Sequence, residues 1–166
     1  MWTGSFLRGF QLLVIILGGC LSSVLSAVAK EPAAIHGGVE LLRDQWGVPH
    51  VFAETDAGAM YGLGYATAQD RGFQMYYMLQ IMQGRLAEVL GDKPQTRRDD
   101  TAVMNDRKMR TFGFAQAARE RVTQLDGESV ALLEAYAQGV NDYFQEHRDG
   151  LPALFQQTVL VPEPWT

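Results

Sequence analysis

Trp46-Gly47-Val48-Pro49-His50, Gly62-Leu63-Gly64-Tyr65-Ala66-Thr67-Ala68-Gln69-Asp70-Arg71, Phe73-Gln74-Met75 and Gly84-Arg85-Leu86-Ala87-Glu88-Val89-Leu90-Gly91 follow one another between residues 46 and 91. Their pattern changes from strand to helix. Val39 to Arg43 reads as a β-strand, Asp44-Gln45-Trp46-Gly47 as a turn, and Val48 to Ala53 as a second strand rich in β-branched and aromatic residues. A two-stranded hairpin is marginal alone in water, so this one is expected to join a sheet whose other strands lie elsewhere. From Asp56 the apolar residues take up helical spacing, with Thr55 or Asp56 as the N-cap. Gly62 and Gly64 each cost a helix about 1 kcal/mol relative to alanine, which points to close backbone packing at those positions. Met75, Met78, Leu79, Met82 and Leu86 then share one helical face, and Gly91 is placed to stop the short Leu86–Leu90 turn.

Working outward toward the amino terminus, residues 30–37 read as a short entry segment. Residues 1–29 have the form of a signal peptide: Arg8 as the only charge, an apolar run from Phe10 to Gly18, and Ala27-Val28-Ala29 before Lys30. Two other outcomes stay open. Leu17-Gly18-Gly19-Cys20 resembles a lipoprotein box, although Leu21 to Leu25 stay more apolar than such a box expects, and the apolar region, at about 20 residues, is long enough for an uncleaved anchor. Each route implies export to the periplasm or beyond, with a lipid-anchored form through Cys20 as the variant. Cys20 is the only cysteine, which excludes a CxxC redox pair and a cysteine zinc site.

Toward the carboxyl terminus, Asp92 to Asp100 is polar and reads as an exposed connection. A helix is expected from about Phe114 to Leu125, with Phe114, Ala117, Ala118, Arg121, Val122 and Leu125 along one stripe. Asp126 caps a second, more regular helix through Val130, Leu133, Ala137, Val140 and Phe144. His147 and Arg148 suit its negative end, and Gly150 suits its stop. Pro152, Pro162 and Pro164 make the tail from Leu151 to Thr166 a poor regular helix. Composition is that of a globular protein, 47% hydrophobic and 20% charged. The net charge of -5 argues against nucleic acid as the main partner. Amphipathic helices beside one lone hairpin leave apolar faces uncovered, so the segment is expected to pack on a larger body.

These blocks, together with Leu133-Glu134-Ala135-Tyr136-Ala137-Gln138-Gly139-Val140-Asn141 and Glu163-Pro164-Trp165, closely resemble in order and spacing the amino-terminal part of the penicillin acylase family of amino-terminal-nucleophile hydrolases. The resemblance runs from about Val39 to Thr166. It implies an α+β fold, an amino-terminal hairpin plus helices, as a fragment of the αββα sandwich of that class. It further implies a precursor in which residues 1–29 are the signal peptide and residues 30–166 belong to the α-subunit region. A β-subunit encoded downstream would be the partner and would begin with the nucleophilic serine. The free α-amine of that serine, with a pKa of roughly 7.7–8.0, would serve as its base. The substrate class implied is a small-molecule acyl amide of the penicillin type. The alternatives are an acyl-homoserine-lactone acylase and a non-catalytic exported helical remnant. Alone, residues 30–166 are then expected to be inactive and poorly soluble.

The chain's own polar residues supply no catalytic, cofactor-binding or metal assignment. His50 reads as a partly buried histidine shaping the hairpin. His36 and His147 lack a second ligand at metal spacing. Asp70 reads as an N-cap and Arg71 as half of a structural ion pair. Asp99, Asp100 and Asp106 lack the glycine and terminal glutamate of a calcium loop and read as a solvated acidic turn. Structural calcium, which the resemblance implies for the full-length protein, would take ligands beyond Thr166. Phe73, Met75, Tyr76, Tyr77, Met78 and Met82 read as core, with an acyl-chain pocket as the alternative. Gly62-Leu63-Gly64 lacks the third glycine and the βαβ setting of a dinucleotide fingerprint.

Overall fold

Three short strands form an antiparallel sheet in the order β1-β2-β3: β1 (Ala33–Ala34), β2 (Glu40–Arg43) and β3 (Pro49–Phe52). The structure, a computed structural model, describes residues 38–92 and 101–166 and the backbone of residues 33–34. The signal-peptide segment, Cys20, His36, Asp99 and Asp100 lie outside the described residues. Leu41 faces Val51 and Leu42 faces His50 across the hairpin, while Ala33 pairs with Leu41 on the other edge. The hairpin is therefore not alone, as its sequence suggested. The entry segment supplies a short third strand.

The turn is built by Asp44, whose carboxylate accepts hydrogen bonds from the Trp46 and Val48 backbone N–H groups at 2.8 and 2.9 Å. Gly47 sits at a φ of 79°, in the left-handed region where a Cβ is disfavoured. Desolvation opposes ionisation of Asp44, but the backbone donors and the His50 ring outweigh it and hold its carboxyl below the ordinary value.

Helix α1 (Asp56–Gln83) begins at Thr55, whose hydroxyl accepts from the Gly58 N–H, and ends at Gly84 in the left-handed conformation. Its backbone leaves helical geometry once, at Arg71 (φ -137°, ψ 19°), so Asp70-Arg71 marks a kink joining two helical stretches. Helix α2 (Leu86–Leu90) follows and ends at Gly91. Helix α3 (Ala102–Phe112), capped by Thr101, was not expected. It buries only Ala102 and Asp106, so its sequence carries too narrow an apolar stripe to announce it. Helix α4 (Phe114–Val122) stops short of Leu125 and buries none of its residues. Its apolar stripe thus faces outward. Helix α5 (Gly127–Glu146) leads through a 3₁₀ turn (Arg148–Gly150) to the single-turn helix α6 (Ala153–Gln156). Along α5, Val140 and Phe144 are buried as expected, whereas Leu133 is exposed.

The α1 and α5 backbones meet where glycines allow it. A Cβ on Gly64 would run into the Tyr136 carbonyl oxygen, and one on Gly139 into the Tyr61 carbonyl oxygen. Gly62 leaves room for Val51 and Val39 of the sheet, and Gly72 for the Phe144 ring. Around this contact lies an aromatic core. Tyr76 packs edge-on to Phe144 at 5.1 Å, Tyr65 to Tyr143 at 5.4 Å and Phe144 to Phe155 at 5.5 Å. Such pairs contribute about 0.5–1.5 kcal/mol each beyond area burial.

Asp126 caps α5 through the Ser129 N–H at 2.8 Å and the Ser129 hydroxyl at 2.9 Å. Those two bonds lower its carboxyl pKa. A depressed native pKa stabilises above the unfolded value and is lost as the pH falls through the native one. Asp126→Ala is therefore expected to lower the thermal midpoint at neutral pH, and the difference from wild type should vanish in acid below the ordinary carboxylate range. Paired melts by circular dichroism check this.

Candidate functional site

Residues of the 73–91, 133–141 and 163–165 blocks converge around the last residues of the chain. Asn141 of α5 donates from Nδ2 to the Trp165 carbonyl at 2.9 Å, and its Oδ1 accepts from the Trp165 N–H at 2.8 Å. The Tyr76 hydroxyl donates to the Glu163 carbonyl. Arg85 reaches both carboxylate oxygens of Glu163, at 3.1 and 3.2 Å, and also pairs with Glu88. Tyr76 is only 1% exposed, and burial pushes its hydroxyl up to about 12, with the Trp165 indole opposing and the Glu163 charge adding. It is thus a permanent donor at working pH. Hydrogen bonding from Arg85 holds the Glu163 carboxyl below the usual range.

Asn141 and the Arg85–Glu163 pair hold the same tail, and they are not equal. Glu163 is 61% exposed, so its ion pair is screened by water and salt. The Asn141 bonds are partly buried and neutral. Asn141→Ala is expected to cost about 1–2 kcal/mol and to abolish hydrogen-exchange protection of the Trp165 amide. Glu163→Gln should leave that protection in place.

Trp165 so held forms one wall of an open groove of about 430 Å³. Met75, Met78, Leu79 and Met82 of α1 line it with Tyr136 and Trp165, and its polar lining is Arg71 and Gln74. The expected core stripe thus divides. Tyr76 is buried and Phe73 packs against the core, while Met78 and Met82 stay 47% and 42% exposed.

The other singled-out residues have structural partners. His50 is exposed rather than partly buried, and its Nε2 lies 3.3 Å from Asp44. His147 stacks on Tyr143 and bonds that residue's carbonyl. Asp70 caps nothing. It takes an ion pair at 2.7 Å from Arg43 of β2, which also donates to Gln69, while Arg71 is exposed at the kink. This ties the hairpin to α1. Asp106 does not lie in a solvated turn. It is buried and accepts from the Leu86 and Ala87 N–H groups at 2.8 and 2.9 Å. Arg110, one turn on, donates to the Gly84 carbonyl at 2.8 Å, so α3 grips the Gly84–Ala87 corner that carries Arg85. Sequence reading missed this corner because its partners lie about 20 residues apart.

Tyr61 and Tyr65 of α1 donate to Asp142 and Glu146 of α5 at 2.8 and 2.7 Å. Burial, then these carboxylates, push both phenols up, so they remain neutral donors. Among the described residues no three His, Cys, Asp or Glu side chains come together to hold a metal ion.

The family model for penicillin amidase matches residues 38–166, a span that includes the hairpin, the α1–α5 contact and the Asn141–Trp165 clasp. The chain belongs to the penicillin amidase family. It is 31% identical over 131 residues to penicillin G acylase of Escherichia coli, covering 76% of this chain and 14% of that protein. To the acyl-homoserine lactone acylase QuiP of Pseudomonas aeruginosa it is 35% identical over 127 residues, covering 76% and 14%. To the penicillin acylase 2 proenzyme of Pseudomonas sp. (strain SE83) it is 35% identical over 129 residues, covering 76% and 15%. A solved structure, thermostable penicillin G acylase from Alcaligenes faecalis, superposes with a TM-score of 0.68 at 35% identity, over 78% of this chain and 66% of that one. The family member described here therefore spans about 14–15% of the length of these curated relatives. Its hairpin-plus-helices architecture is the α+β fragment the resemblance implied.

Proposed function

We propose that this chain is the α-subunit region of an exported amidohydrolase that cleaves the acyl amide of a small molecule. The observation that carries the reading is the continuous family match through residues 38–166, with its motif blocks meeting at the Trp165 clasp. In this reading residues 1–29 direct export, and a downstream β-subunit brings the nucleophilic serine and its α-amine. Backbone and Asn donors of that subunit stabilise the tetrahedral oxyanion. The described residues contribute scaffold. No helix among them is long and apolar enough to cross a membrane. Structural calcium belongs to the same reading, with its ligands in sequence beyond Thr166, and Asp106 serves instead as acceptor for the Leu86 and Ala87 N–H groups.

Penicillin-type amides lead as substrates. Acyl-homoserine lactones are the second reading, favoured by the 35% identity to the QuiP acylase. The test is expression of the complete gene product, assayed on both substrate classes beside residues 30–166 alone. Turnover by the complete protein that disappears on replacing the β-subunit's first serine by alanine, with none from residues 30–166, is the expected result. Robust turnover by residues 30–166 alone would place the active site elsewhere. No turnover by either would favour the non-catalytic remnant.

A further inference from the structure

A surface helix ordinarily turns its apolar stripe to the core, and α4 does the reverse. Phe114, Ala117, Ala118, Arg121 and Val122 are all exposed, as is Leu125 just beyond them, and Ala115 is the only residue of the helix that is partly covered. Phe112 and Phe114 flank the left-handed Gly113 with their rings 5.5 Å apart. This aromatic pair, 64% and 45% exposed, marks the corner between α3 and α4.

Positive charge gathers on the same two helices. Between Ala102 and Val122 lie Arg107, Lys108, Arg110, Arg119 and Arg121 against Asp106 and Glu120, a surplus of three positive charges in a chain whose net charge is -5. The Asp106 carboxylate is buried under backbone donors, and Glu120 accepts from Gln116. Arg119 and Arg121 pair with no carboxylate among the described residues. Arg121 stands within the apolar stripe, where its aliphatic stem follows the apolar surface and its guanidinium reaches past it. Covering that stripe with protein would strand the guanidinium unless a carboxylate met it. At the boundary of an anionic bilayer, phosphates supply the counter-charge and acyl chains receive the aromatic rings.

We propose that the face running from Phe112 to Leu125 docks on an anionic phospholipid surface. Phe112, Phe114, Val122 and Leu125 enter the boundary between headgroups and acyl chains, and Arg119 and Arg121 meet lipid phosphates. This binding goes beyond the acylase reading and does not depend on the catalytic assignment.

Co-sedimentation of the complete protein with vesicles tests it. One set of vesicles is phosphatidylcholine alone, and the other is equal parts phosphatidylcholine and phosphatidylglycerol. The anionic vesicles are expected to bind at least about tenfold more tightly, with the advantage shrinking as salt is raised. Two double variants alter exposed side chains only, Arg119→Glu with Arg121→Glu and Phe112→Ser with Phe114→Ser. Each should melt near wild type by circular dichroism and lose at least about tenfold in affinity for the anionic vesicles. Unchanged affinity in both variants would overturn the proposal. Equal binding to the two vesicle types, kept by both variants, would assign the affinity to the apolar residues 1–29 and likewise overturn it. No binding to either vesicle would show the face covered by protein in the complete molecule and end the proposal. Self-association lost in the phenylalanine variant, without vesicle binding, would make a second copy the occupant. Acyl amide hydrolysis, measured in solution on the same preparations, keeps the two readings apart. Lipid binding without turnover would uphold the docking and remove only the catalytic reading, and turnover without lipid binding would do the opposite.

Discussion

Gly139→Val is expected to lose about 3 kcal/mol or more of stability, enough to unfold much of the chain at room temperature. The new Cβ would meet the Tyr61 carbonyl oxygen, and the Tyr65 backbone nitrogen lies at 2.9 Å from the same point. Both obstacles are backbone, so no rotamer change relieves the clash. The helices must separate, and the Tyr65–Tyr143 and Tyr76–Phe144 contacts separate with them. Overpacking a core commonly costs about 1–3 kcal/mol, and it costs more when the obstacle is main chain. Gly64→Val should behave alike, since its obstacle is the Tyr136 carbonyl. Gly127→Ala, at the exposed start of α5 with nothing within reach of a Cβ, is the control and should be nearly neutral. Denaturant midpoints of the three variants decide the matter. A Gly139→Val midpoint within error of wild type would refute the close α1–α5 approach.

The second large effect is Asp106→Ala, expected to cost about 2–4 kcal/mol. The substitution strips acceptors from two backbone N–H groups at once, and the Leu86 donor is buried with no water to replace them. Leaving a buried donor unsatisfied costs about 1–3 kcal/mol, and bonds to a carboxylate are the stronger kind. The loss should be local as well as global. With α2 uncapped, Arg85 loses its fixed backbone and the Glu163 pair weakens, so the tail should exchange faster even where the core survives. Asp106→Asn retains one acceptor oxygen and should recover part of the loss. Hydrogen exchange at Leu86 and Ala87, with urea midpoints for both variants, measures it.

Much of the fold was readable because its determinants are local. Thr55, Asp126 and Gly91 act on backbone within one turn, so these caps and stops follow from neighbouring residue types, whereas the expected single face from Met75 to Leu86 is broken by Gly84, which ends α1 and puts Leu86 on α2. Gly62 and Gly64 carried their message by violating helix propensity, a violation that close packing resolves. Helix α3 was illegible for the opposite reason. Its role is polar and specific, two hydrogen bonds accepted by Asp106 and one donated by Arg110, and neither residue alters hydrophobic periodicity. Asp70 was assigned to its own helix because the sequence shows only near neighbours, whereas its partner is Arg43 on a strand 27 residues earlier.

By itself the sequence determined the family, the hairpin and the helices that carry a regular apolar period, since ordered motif blocks, caps and hydrophobic periods are written along the chain. Only the tertiary structure decided what the conspicuous residues do. It turned the Met75–Met82 face into an open groove, Trp165 into its wall and Asn141 into the clasp that holds that wall. The physical reason is range. Propensity and capping act over a few residues, while a groove or a clasp exists only after side chains distant in sequence have been brought within hydrogen-bond or van der Waals reach.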